Sequence, residues 1–347
     1  MSIEALFSHP ISAWAQSFPL PAFPLPDEAH VAAWQDYAHL AQVEGAWAVL
    51  LRCFGCLHFP IQAGISQTEV YRQARAGRAV PAAAALWLQQ PDALELILQP
   101  TAAGAIPVLI AGCRADFVTL MQAFAHGNEP VVVPDSMGAA MIAGITNAQR
   151  LRAFRGLRPA KSDYQDRFIL LSRGAYSGVP APALGLDEAA WNALSLTIRL
   201  HHECAHYFTK RVFGVMRRHL HDELLADYAG ISAALSHFRA DWFLHFMGLE
   251  AYPAYRPGAR LENYLDDALA DPTARDQVAG WLARAAHNLE TFDRAQGGWQ
   301  TDLPTQARIL HAIASLSLPE LADANAPNRL ADQLAPRAAV VWQTAPC

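Results

Sequence analysis

Apolar positions recur along the chain in two rhythms, and these divide it into unlike halves. Pro19, Pro21, Pro24 and Pro26 open the chain with an extended segment that cannot be helical, because each proline lacks an amide donor. Val31, Trp34, Ala38 and Ala41 then recur at helical spacing and predict a helix over Asp27–Glu44. Short apolar runs of strand length follow at Trp47–Cys53, Leu94–Leu98, Pro107–Ala111, Pro130–Val133 and Phe168–Ser172. The Ala-rich segment Ala82–Leu88 and the stretch Ala115–Ala125 read as helices between them, and Ser136–Ile142 reads as a Gly-containing turn leading into a helix.

Beyond Asp187 the rhythm is helical throughout. Asp187 is placed to cap a helix over Glu188–Phe213, a run without Pro or Gly that Gly214 ends. Further helices are predicted over Asp222–His237, Arg260–Ala270, Arg275–Arg294 and Gln306–Ser315. The pattern therefore predicts an α+β protein. An α/β part over residues 1–172 packs on a mostly helical part over residues 187–347, and Gly174, Gly178, Pro180 and Pro182 punctuate a boundary at 173–186.

Composition narrows the class. Hydrophobic residues make up 52% of the 347 and charged residues 17%, enough to build a sizeable core and the opposite of a disordered balance. The net charge of -6, with no Lys/Arg-rich run, argues against a nucleic-acid partner. Met1 to Pro10 lacks the basic start of a secretory signal, and no apolar run reaches the ~18 residues of a membrane span. Five cysteines, an odd number, suit a reducing compartment, and the cytoplasm is the expected location. Cys53 and Cys56 have C-x-x-C spacing but no second pair to complete a zinc knuckle, so they are expected as core-facing thiols. Phosphate-binding glycine loops are absent from the sequence, which leaves nucleotide chemistry without a motif.

The chemistry concentrates in His202-Glu203-Cys204-Ala205-His206. On a helix, positions four apart share a face, so His202 and His206 can converge on one metal ion, and imidazole suits Zn2+. Glu203, beside the first histidine, is placed to act as a general base toward water. A catalytic zinc site requires a third protein ligand, and the next helix offers Glu223, with Asp227 one turn further on. Asp227 could accept a hydrogen bond from the far ring nitrogen of a ligand histidine, and the small Ala226 and Gly230 would let the two helices approach closely. The element E-x-x-H, used twice in di-iron bundles, occurs only once here.

This arrangement resembles the gluzincins, zinc metallopeptidases with H-E-x-x-H followed on a later helix by E-x-x-x-D. The match rests on His202, Glu203 and His206, then Glu223 with Ala226-Asp227. The resemblance implies zinc held by His202, His206 and Glu223, with Glu203 as base. Tyr176, His219, His221 and Tyr228 are candidates to stabilise an oxyanion or contact substrate. Gluzincin peptidases hold substrate along an exposed strand edge upstream of the zinc helix, a place that Phe168–Ser172 occupies in order. Ser136–Ile142 is loosely similar to the Gly-Ala-Met-Glu-Asn exopeptidase loop of one gluzincin family but lacks its Glu. The expected function is a zinc-dependent hydrolase acting on a peptide or amide substrate. The alternatives are a zinc hydrolase of a non-peptide amide or specialised metabolite, and a non-catalytic binding or scaffold protein with a structural or degenerate metal site.

Overall fold

A computed structural model describes residues 21–78, 81, 84–154, 158–214, 220–264 and 271–335. The elements that position the site are, in chain order, α1 (Val31–Glu44), α2 (Ala46–Cys53), β1 (Glu95–Gln99), β2 (Ile106–Ile110), α3 (Arg114–Ala125), β3 (Ala139–Thr146), β4 (Gln165–Leu171), α4 (Glu188–Phe213), α5 (Leu220–Leu235), α6 (Ala240–Met247), α7 (Pro272–Ala295) and α8 (Leu303–Ala314). The four strands form one sheet in the order β1-β2-β4-β3. β1 and β2 are antiparallel, β2 and β4 parallel, and β3 and β4 antiparallel. The fold is α+β, as the sequence pattern predicts.

Alternation along the strands makes the sheet the middle of three layers. Successive side chains in a strand point to opposite faces. Leu109, Phe168 and Leu170 accordingly join a core with Trp34, Phe54 and Phe124 of the N-terminal helical layer. Val108, Ile110, Ile169 and Leu171 face the other way and join a second core with α4, α5 and the later helices. On the N-terminal face Phe168 meets Trp34, Phe54 and Phe124 with ring centroids 5.3, 6.0 and 5.0 Å away. The buried Asp166 on β4 accepts hydrogen bonds from Trp34 Nε1 at 2.9 Å and Asn147 Nδ2 at 2.7 Å, and pairs with Arg150. The residues just ahead of α1 are tied down across the molecule: Glu28 pairs with Arg167 at 2.8 Å and accepts from the Tyr207 hydroxyl at 3.1 Å.

The long helix α4 follows the sequence rules at both ends. Asp187 accepts from the Ala190 amide at 2.8 Å, and Gly214 closes the helix at φ 74°. Helix α5 lies antiparallel to α4, because Ile198 meets Gly230, His202 meets Asp227 and His206 meets Glu223.

Several expected elements differ. Trp47–Cys53 is part of helix α2 rather than a strand; its buried residues Ala46, Val49, Leu50 and Cys53 have helical spacing that a uniformly apolar run concealed. Pro130–Val133 forms no strand, since the Gln122 side chain takes the Val131 carbonyl at 2.9 Å and Arg114 takes the Pro134 carbonyl at 2.7 Å. Residues 84–88 are irregular rather than helical, with Leu86 and Leu88 buried; Ala82 and Ala83 lie outside the described residues. Ser136–Ile142 leads into strand β3, not a helix. Of Arg260–Ala270, the described part is a single 3-10 turn over Arg260–Tyr264.

Cys53 and Cys56 are free thiols in the N-terminal core, each pushed up to about 12 by burial. Among the described residues no helix is long and apolar enough to cross a membrane.

Candidate metal centre

Helical spacing on α4 and a close approach by α5 bring three potential ligands together. His202, His206 and Glu223 are buried, and one ligand atom from each lies within 4.8 Å of the others. His202 Nε2 and His206 Nε2 face each other at 3.0 Å. The Glu223 carboxylate closes the triangle, with Oε2 3.5 Å from His202 Nε2 and Oε1 3.7 Å from His206 Nε2. Two ligand nitrogens bound tetrahedrally at roughly 2.0–2.1 Å from zinc would stand about 3.3 Å apart. Donor set, spacing and orientation thus fit a small divalent cation.

The two rings differ in their electrostatics. Burial works against a charged His202, but the hydrogen bond and charge of Asp227, with Glu223, overcome it and raise its pKa. His206 is pushed down to about 4, by burial first and then by His202. His206 therefore favours the neutral form, in which imidazole is a ligand.

Behind the ligands, Asp227 organises a polar layer. His202 Nδ1 donates to Asp227 Oδ1 at 2.8 Å, which turns Nε2 toward His206 and Glu223. The Tyr176 hydroxyl donates to the same oxygen at 2.6 Å and lies 3.0 Å from His202 Nδ1. Arg260, which the sequence offers only as one position of an expected helix, contributes the cation of this layer. Its guanidinium reaches Asp227 Oδ2 at 2.9 Å and Glu223 Oε2 at 2.5 Å. Burial raises the carboxyl of Asp227, but Arg260 and the hydrogen bond from His202 more than reverse this, and its pKa falls to about 2.

Glu203 is buried on the same helix, turned 100° from His202 by one residue of helical rotation. Burial raises its carboxyl to about 6, with His202 acting in the opposite direction and Glu223 adding to it. One turn earlier, Arg199 donates to the carbonyls of Gly174 at 2.8 Å and Ala175 at 2.6 Å, fixing the turn that delivers Tyr176. Arg199 also lies against Gly138, just ahead of β3, so α4 and the start of that strand are in contact.

The remaining site candidates are dispersed. Tyr176 sits behind His202, bonded to Asp227, and is not turned toward the converging ligand atoms as an oxyanion donor would be. Tyr228 donates to Asp293 Oδ1 at 2.7 Å, toward α7. His221 is buried with Nε2 3.3 Å from the Ile313 carbonyl on α8. His219 lies outside the described residues. Phe168–Leu171 is not a free edge, because β4 has β2 on one side and β3 on the other. A separate cavity of about 360 Å³ opens on the opposite side of α4, bordered by His201, Cys204 and Trp299, and none of the cluster residues lines it.

These features define an α+β protein with a buried two-histidine, one-glutamate cluster able to hold a metal ion. The chain belongs to a family of unknown function, DUF7005, whose model matches residues 12–325. No curated protein and no solved structure matched the chain.

Proposed function

We propose that the protein is a zinc-dependent hydrolase of the gluzincin type, acting on a peptide or amide carbonyl. The observation that carries this reading is the convergence of His202, His206 and Glu223, with the acid Glu203 buried on the same helix. Zinc bound there would supply a Lewis acid that polarises a carbonyl and acidifies water. Glu203 would accept the proton of the attacking water and return it to the leaving amine. Asp227 and Tyr176 would hold His202 in the tautomer whose Nε2 lone pair faces the ion.

A peptide substrate is favoured by β3, one of the two edge strands of the sheet among the described residues. The Gly138 carbonyl accepts from the Ser172 amide at 2.8 Å, which makes Gly138, Ala140 and Ile142 the positions bonded to β4. By alternation, Ala139 and Met141 turn their main-chain donors and acceptors to the edge that no other described strand pairs. An extended peptide could add there as a further strand, next to α4. The role expected of Phe168–Ser172 passes to its neighbour.

Elemental analysis of purified wild type and His206→Ala, with a screen against peptide and amide substrates, tests the proposal. One zinc per chain, lost in the variant, together with zinc-dependent hydrolysis, is the expected result. Failure of wild type to take up zinc when it is supplied would overturn it.

A further inference from the structure

Arg260 occupies an unusual place, shared between a ligand carboxylate and the carboxylate that orients a ligand histidine. Its side chain is largely enclosed, with an exposure of 13%, and pairs with Glu223 Oε2 at 2.5 Å and Asp227 Oδ2 at 2.9 Å. It donates further to Tyr176 at 3.1 Å and Ser177 at 3.3 Å. A guanidinium is a rigid planar fork that is always charged, so these contacts fix both carboxylates in orientation as well as in charge.

We infer that Arg260 is a positioning residue that sets how Glu223 binds the metal; the inference rests on the zinc reading above. A carboxylate can bind through one oxygen or two. Arg260 holds Oε2, which leaves Oε1 free of the guanidinium and 3.7 Å from His206 Nε2. Glu223 would then meet a bound zinc through Oε1, while Oε2, although 3.5 Å from His202 Nε2, stays engaged by the guanidinium. Two imidazole nitrogens and one oxygen would make three protein donors and leave one position open, as a hydrolytic zinc requires. Without the guanidinium, Oε2 would be a buried anionic oxygen with no cation of its own, and the metal would become its natural partner. The same residue also pairs with Asp227, which accepts from His202 Nδ1. No motif marks Arg260, because it lies 37 residues beyond Glu223 on a short turn.

The test is the zinc-loaded wild-type protein, compared with Arg260→Met and Arg260→Lys. Zinc X-ray absorption in solution and a zinc-loaded crystal structure both read the coordination. Wild type is expected to show about four donors, with one Glu223 oxygen on zinc and the other on Arg260. Arg260→Met is expected to gain an oxygen, to about five donors, while Arg260→Lys, which keeps a cation beside Oε2, stays at about four. Two-oxygen binding by Glu223 in wild type would overturn the inference even if neither variant folds. Unchanged coordination in a folded Arg260→Met would overturn it equally. Absence of zinc from wild type would be a different failure, that of the metal reading itself.

Discussion

Gly230 of α5 faces the main chain of Ile198 on α4 so closely that a methyl group on its Cα would stand 2.6 Å from the Ile198 carbonyl oxygen and 3.1 Å from its Cγ2. Two helices can approach this far only where one of them lacks a side chain. The approach matters because the ligands are divided between these helices, His202 and His206 on α4 and Glu223 on α5. Gly230→Ala should force the helices apart at a point one turn beyond Asp227. A stability loss of about 1–3 kcal/mol is expected from the overpacking, together with weaker zinc retention. Thermal unfolding and zinc titration of the same variant check this. A variant with unchanged melting and unchanged zinc binding would mean that the separation of α4 and α5 is not what assembles the site.

Glu203 offers the sharpest separation of chemistry from metal binding. It is absent from the ligand cluster, and its side chain leaves the helix at a different angle from those of His202 and His206. Glu203→Gln preserves size and removes the base. Turnover should fall about 10²–10⁴-fold while zinc stoichiometry stays that of wild type. Kinetics on any substrate found, with elemental analysis in parallel, reads both quantities. Full activity in this variant would exclude Glu203 as the base.

Asp227 is bonded to His202 Nδ1, Tyr176 and Arg260 at once, which makes it the hub of the layer behind the ligands. Asp227→Asn keeps the shape but weakens the acceptor for His202 Nδ1–H. Zinc affinity should drop about 10–100-fold. Tyr176→Phe removes one donor to the same carboxylate and leaves the His202 contact in place, so its effect should be smaller. Competition against a chromophoric chelator measures both, and equal losses would show that the hydroxyl and the carboxylate act as one unit.

How much of this was legible in the sequence follows from the range over which each feature is encoded. Helix α4 is local: Asp187, an unbroken helical run and Gly214 mark it within the segment itself, and the H-E-x-x-H spacing carries its own geometry. Glu223 and Asp227 could be read because they repeat the same four-residue logic on the next helix. Helix α2 was hidden because an apolar run without polar punctuation has no visible period. Strand β3 was hidden by the Ala and Gly residues that interrupt its β-branched Ile142, Ile145 and Thr146; its pairing with β4 is a long-range fact. Arg260 was silent for the same reason, since nothing near it in the chain indicates that it will meet Glu223 and Asp227. Tyr176 was singled out as a site residue, but its role depended on direction: the Arg199 contacts to the preceding turn send its hydroxyl behind His202.

The N-terminal layer permits a test of whether the sheet transmits damage to the metal cluster. Trp34 donates from Nε1 to Asp166 Oδ2 at 2.9 Å, and its ring packs on Phe168 with centroids 5.3 Å apart. Both partners are on β4, whose opposite-facing residues Ile169 and Leu171 belong to the core around α4 and α5. Trp34→Phe removes the donor and leaves a buried carboxylate, already raised in pKa by burial, with Asn147 and Arg150 as its remaining partners. A stability loss of about 1–3 kcal/mol is expected from that lost contact. Zinc content of the folded variant should match wild type, because β4 itself stays paired on both sides and α4 keeps its own contacts. Chemical denaturation measures the first quantity and elemental analysis the second. Loss of zinc in proportion to loss of stability would show instead that the cluster depends on the packing of the far face of the sheet.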